Sequence, residues 1–208
     1  GAVKDTLNGF DRFGVYNYNA SITTKIYGIV NFKPKNKVQS IRHTITPSIT
    51  YSNNPSFEEY YDTYIIDAEG NTAEYTRFQG GLFGTPGKSY SSSIGLSIQN
   101  VLEAKVKPKD STETELKKIN IFKNLNISTS YNLAAEEFKL SPIRVSGAID
   151  VARGFTVNTG ATFDAYALDE NNRRINVFNS KNGGGLLRMT SANICLLYTS
   201  DAADDGSR

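Results

Sequence analysis

Tryptophan is absent from these 208 residues, and cysteine, histidine and methionine occur once each. One His and one Cys supply no ligand set for zinc, and a Ser nucleophile would have to depend on His43 alone. No run of about 18 apolar residues could cross a bilayer as a helix, and no basic-then-apolar leader opens the chain. Charge of one sign is also missing. The 23 Lys+Arg against 21 Asp+Glu leave a net +2, which gives no reason to expect nucleic acid as a partner. The first residue is Gly1 rather than Met, so the start reads as truncated.

The single cysteine falls in an unusual tail. The string Cys195-Leu-Leu-Tyr-Thr-Ser-Asp-Ala-Ala-Asp204 resembles the translation of a transposase-type sequencing adapter. Such scars are set aside before fold reasoning. The expected organisation is therefore one partial domain over 1–194 and a non-native tail over 195–208, with no thiol chemistry in the natural part.

What the chain has in quantity is Tyr (12), Phe (11), Ser, Thr and Asn, around an apolar fraction of 38%. That balance suits strands with one wet face better than a helical core. The periodicity agrees. Over 16–32, even positions read Tyr16, Tyr18, Ala20, Ile22, Thr24, Ile26, Gly28, Val30 and Phe32, while odd ones include Asn17, Asn19, Ser21, Thr23, Lys25 and Asn31. Period two over such a length is a strand signal. Further alternating segments run over 41–52, 92–106, 119–133, 143–151 and 155–163, and a seventh begins near Leu186. Ile22, Ile26, Ile45, Ile49, Leu96, Ile98, Val145 and Phe163 should share one bare face.

Globular strands are usually about 5 to 6 residues long. Strands two to three times that length fit a bilayer, which a tilted strand crosses in about 9 to 11 residues and in which an open edge cannot be satisfied. Tyr16, Tyr18, Phe32, Tyr51 and Tyr131 near strand ends suit the aromatic girdles of such barrels. The connections, 33–37, 53–89, 107–118, 134–140, 152–154 and 165–185, mostly alternate short and long, as periplasmic turns and extracellular loops do. The middle pair is out of order. The expected fold is all-β, with about seven antiparallel up-and-down strands forming a fragment of a transmembrane outer-membrane β-barrel. A soluble β-sandwich would favour shorter strands.

Several residues invite chemistry. Residues 81–89, Gly-Leu-Phe-Gly-Thr-Pro-Gly-Lys-Ser, imitate a phosphate-binding loop, but Leu82 stands where a glycine is needed and a strand pattern follows instead of a helix. His43 lies on an apolar strand face between Ile41 and Ile45. Lys25, Arg42, Glu103, Lys105, Arg144, Asp150 and Asp164 fall on polar faces and would point into a water-filled lumen, where they could meet an anionic glycolipid headgroup. Pro47 and Pro142 each remove one ladder donor. Tyr60, Tyr61, Tyr64 and Tyr75 in the longest loop suggest a packed cap. Nothing here implies a cofactor or an enzyme.

Four strings carry a resemblance: Thr24-Lys-Ile-Tyr-Gly-Ile-Val-Asn-Phe32, Ile41-Arg-His-Thr-Ile-Thr-Pro-Ser48, Tyr75-Thr-Arg-Phe-Gln-Gly-Gly-Leu-Phe-Gly84 and Arg173-Arg-Ile-Asn176. In order over 14–194 they resemble the barrel of the LptD family of lipopolysaccharide-assembly proteins, in the form carried by Bacteroidetes. The resemblance implies residence in the bacterial outer membrane and insertion of lipopolysaccharide into its outer leaflet through a barrel that opens sideways. It also implies contact with outer-membrane lipid, a lipoprotein plug and periplasmic bridge proteins. That family's periplasmic jelly-roll and the strands of its lateral seam are not among these residues. The alternatives are another outer-membrane barrel, such as a nutrient transporter, or a soluble β-rich adhesion module.

Overall fold

A computed structural model describes residues 9–108, 115–152 and 155–198. Twelve strands occur among them: β1 (Tyr18–Thr23), β2 (Ile26–Asn31), β3 (Val38–Asn54), β4 (Asp62–Ile65), β5 (Thr72–Tyr75), β6 (Ser91–Val106), β7 (Lys117–Asn132), β8 (Ile143–Ala152), β9 (Phe155–Asp164), β10 (Tyr166–Leu168), β11 (Arg174–Phe178) and β12 (Arg188–Tyr198). The only helical turns among the described residues are two short 3₁₀ segments. Among the described residues no helix is long and apolar enough to cross a membrane, which says nothing of crossing by strands.

Eight strands form one antiparallel sheet in the order β1-β3-β6-β7-β8-β9-β12, with β2 beside β1 on the same edge of β3. Each long strand pairs with its predecessor in the chain, so the topology is up-and-down. The sheet is open. Among the described residues, β1 and β2 form one edge and β12 the other.

The alternating segments become strands close to where period two puts them, with one interruption. The 16–32 pattern divides into β1 and β2, yet Thr23↔Ser48 and Ile26↔Ile45 belong to one continuous register. The break lies opposite Pro47, which has no amide hydrogen to return to the neighbouring strand. Pro142, the other expected ladder gap, stands immediately before β8, at a strand end.

Register tests the shared face directly, since residues opposite each other point the same way. Ile22 pairs with Ile49, Ile49 with Leu96, and Pro47 with Ile98. Ile26 pairs with Ile45, Ile98 with Ile127, Ile127 with Val145, and Ile143 with Phe163. The expected eight residues therefore stand on one face, and among the described residues no second sheet covers it: the remaining sheets are the two-stranded pairs β4-β5 and β10-β11. Ile22 is 78% exposed, Ile49 52% and Ile194 79%. The accessible surface is 16060 Å², and few hydrophobic side chains among the described residues are buried. A compact protein of this mass exposes roughly 9,600 Å². Among the described residues the long-stranded sheet is single-layered, not a sandwich.

Packing is concentrated at the loop end of the sheet. Residues 55–90 and the segment before β1 form an aromatic cap in which Phe13, Tyr60 and Phe78 stack edge-on or tilted, and Tyr16 meets Phe57. Phe57, Thr76 and Pro86 are buried there, and the Tyr61 hydroxyl donates to the Pro86 carbonyl at 2.6 Å. Of the tyrosines expected in a packed cap, Tyr60 and Tyr61 are in it, whereas Tyr64 is exposed and meets Tyr75 on the β4-β5 hairpin. The sequence pattern did not disclose the hairpin β4-β5 within it, nor β10-β11 in the last loop. The turn expected at 152–154, the middle of the 107–118 connection and the tail beyond 198 lie outside the described residues in whole or part.

Candidate functional site

Polar side chains collect on the face opposite the apolar one, and register aligns them across strands. Thr23, Ser48, Ser97, Ser128, Arg144 and Thr162 follow one row from β1 to β9. The flanking registers put Lys25 opposite Thr46, one row nearer the turns. Rows of hydroxyls and amides need no exceptional burial: water or a polar ligand can satisfy them, and Ser97 Oγ already donates to Asn126 Oδ1 at 3.0 Å.

Charges gather at the turn end of this face. Arg42 of β3, Glu103 of β6 and Lys118 of β7 are neighbours, with Glu103 gripped from both sides. Arg42 Nε donates to Glu103 Oε2 at 2.8 Å. Around the trio opens a cavity of about 410 Å³, also lined by Ile29, Asn31, Ser40, Ala104 and Lys105. Lys123 Nζ lies 2.9 Å from Asp150 Oδ2, and Thr156 Oγ1 donates to Asp150 Oδ1 at 2.9 Å.

Of the charged residues expected to act, Arg42, Glu103 and Lys105 therefore come together at the cavity. Asp150 belongs to a separate ion pair, and Lys25 and Arg144 stand apart on the same face. Asp164 departs from the expectation. It is 5% exposed and buried beneath the last loop, where Arg174 Nε approaches Oδ2 at 2.8 Å and Arg188 at 3.5 Å. Arg174 also lies over the rings of Phe138 and Tyr166, 4.8 and 4.7 Å from their centroids. This knot ties the β7–β8 connection to the β10-β11 hairpin, and its role is structural.

Lys118 and Lys123 were not foreseen. Strict alternation would put Lys123 with Leu125 and Ile127. Two register slips in β7, seen in Asn100↔Leu125, Leu102↔Phe122 and Glu103↔Asn120, leave Phe122 opposite Leu102 and let Lys123 reach Asp150. Bulges of this kind re-aim side chains and escape a period-two reading.

The remaining motifs resolve simply. No helix follows residues 81–89, which lead into β6; the Lys88 ammonium bonds Glu74 and lies 4.9 Å from the Tyr61 ring centroid. That hydrogen bond raises the Lys88 pKa above its ordinary value. In the β4-β5 turn, hydrogen bonds from Asn71 lower that of Asp67. His43 touches Asn100 rather than any nucleophile.

The geometry defines an all-β, up-and-down antiparallel protein whose two sheet faces differ sharply in polarity. The chain belongs to the LptD protein family, whose model matches residues 2–166, from the N-terminal segment into β10. That is a transport family, not a family of enzymes; it acts in lipopolysaccharide assembly and is associated with the outer membrane of Gram-negative bacteria. Searches of curated proteins and of solved structures found no match. The string Arg173-Arg-Ile-Asn176 lies beyond the matched stretch.

Proposed function

We propose that this chain is part of the wall of an outer-membrane barrel that inserts lipopolysaccharide into the outer leaflet. The observation that carries the reading is the two-faced sheet: seven rows of strand, up to 17 residues long, with apolar side chains bare on one side and polar ones aligned on the other. In a bilayer the bare face is satisfied by lipid, and the polar face becomes the lumen wall. Lys25, Arg42, Glu103, Lys105, Arg144 and Asp150 then line the path of a phosphorylated, anionic glycolipid. The lipoprotein plug and periplasmic bridge, and the Bacteroidetes character, follow from the resemblance.

A photo-crosslinker placed at Arg144 or Ser97 in the parent protein should capture lipopolysaccharide in growing cells. The same group at Val30, on the apolar face at the turn end, should capture membrane phospholipid. Lipopolysaccharide adducts at Val30 and none at Arg144 or Ser97 would reverse the faces and sink the reading.

We also read residues 195–208 as foreign to the gene. β12 runs through Cys195 to Tyr198, and its register opposite Asn158 and Thr156 aligns Cys195 and Leu197 with the polar face, where the neighbouring strands carry hydroxyls and amides. The genomic locus should leave this sequence near Ile194 and continue with further alternating residues. Finding Cys195 to Asp204 encoded there would refute the point.

A further inference from the structure

The net charge of +2 conceals a separation of charge along the strand direction. The turn segments 33–37 and 105–118 contain eight lysines and three acids; the long loop at the other end, 55–89, contains six acids and two bases. The fold brings the described ends of these segments together. Val38 pairs with Val106, and Val106 with Lys117. The Lys107 amide donates to the Lys37 carbonyl at 2.9 Å, stitching the two turns side by side. Lys33, Lys35, Lys37, Lys107 and Lys117 are all exposed. The rim lies just beyond the apolar residues Val30, Phe32 and Ile119, which are 57%, 39% and 41% exposed.

We propose that this lysine rim binds the anionic headgroups of glycerophospholipids in the leaflet on the turn side, and so sets the depth and orientation of the sheet. Three observations favour that occupant. The rim adjoins the bare apolar face, at the level where headgroups meet hydrocarbon. Its exposed cations are lysines, compact charges on long stems that can lie along apolar surface and reach outward, rather than the rigid forks that select one bidentate partner. The first turn is a tight one, closed by Asn36 donating to Lys33 at 2.9 Å, and its three lysines are all exposed. The acidic loop end is repelled by the same headgroups, so the two ends enforce one orientation.

The inference rests on the barrel reading, and the test separates the two. The complete parent protein is folded from urea into vesicles of phosphatidylcholine, or of phosphatidylcholine with about a third replaced by phosphatidylglycerol. The wild-type chain should favour the anionic vesicles, with the preference fading as salt shortens the range of charge. The triple variant K33Q/K35Q/K37Q should lose affinity for the anionic vesicles by about fivefold per lysine and keep its affinity for phosphatidylcholine. The loop variant E58Q/E59Q/D62N should not lose affinity. Insertion that ignores phosphatidylglycerol, or equal loss in both variants, overturns the rim proposal alone. Stronger lysine-dependent binding to vesicles containing phosphorylated glycolipid, or competition by inorganic phosphate beyond that of chloride at equal ionic strength, overturns the choice of headgroup. A wild type that enters phosphatidylcholine no better than Leu96→Arg overturns the barrel reading and the rim with it.

Discussion

His43 Nε2 lies 3.1 Å from Asn100 Oδ1, across the β3–β6 ladder and on the apolar face. The Asn100 amide nitrogen meanwhile donates to the carbonyls of Leu125 and Ile98, at 3.3 and 3.4 Å, so its oxygen is the acceptor and the imidazole the donor. Two polar residues among Ile41, Ile45 and Leu102 thus satisfy one another. Asn100→Ala should destabilise the folded chain by about 1 to 3 kcal/mol, because it orphans the imidazole. Replacing both, with His43→Leu and Asn100→Leu, should recover most of that loss. Urea titrations of the single and double variants in lipid vesicles measure it, and additive losses would show that the pair is not coupled.

Thr24 and Pro47 occupy the gap between β1 and β2. The Thr24 amide donates to the Pro47 carbonyl at 3.2 Å, and no return bond is possible. Pro47→Val should close the gap, because a residue with an amide hydrogen and good strand propensity can donate back to Thr24. One added ladder bond is worth about 1 kcal/mol. Hydrogen exchange should then find the residue-47 amide protected and Thr24 slower to exchange than in the parent chain. A freely exchanging amide at 47 would place the cause of the break elsewhere.

Leu96 and Ser97 are adjacent but face opposite sides of β6, paired respectively with Ile49 and with Ser48. In the parent protein Leu96→Arg should hinder assembly, since Arg at a lipid-facing midplane site costs about 2 to 4 kcal/mol. Ser97→Arg should be tolerated. Heat-modifiable migration of the assembled barrel on gels is the readout. An epitope tag within 55–89 should be reached by antibody on intact cells, and equal tolerance of both arginines would argue against a membrane face.

Asp164 is the buried anchor of the loop-end knot. Asp164→Ala leaves Arg174 and Arg188 facing each other without their shared carboxylate, and breaking a buried pair costs about 3 kcal/mol. The damage should be local: faster proteolysis within 165–187 and loss of the Tyr166–Phe178 stack, whose centroids are 5.2 Å apart. Protease resistance equal to wild type would show that the aromatic contacts hold the loop unaided.

Strand periodicity determined the class of fold, because a pleated strand turns successive side chains to opposite faces whatever its neighbours do. Ile22, Ile49, Leu96 and Phe163 could be assigned to one face, and Ser97 and Arg144 to the other, without knowing which strand lies beside which. Interruptions to the ladder were only half legible. Pro47 advertised a missing donor, but nothing local in Lys117-Lys-Ile-Asn-Ile-Phe-Lys123 marks the two slips that bring Lys123 to Asp150, since a bulge depends on the pairing of two strands. The Arg42, Glu103 and Lys118 cluster was legible as three polar positions and not as a site, because they lie on three strands separated by up to 76 positions in the chain and meet only in the folded register. Asp164 shows the limit most clearly. Alternation put it on the wet face, and tertiary packing buried it, because the loop that follows its strand folds Arg174 back onto it, with the rings of Tyr166 and of Phe138 from the β7–β8 connection against that arginine.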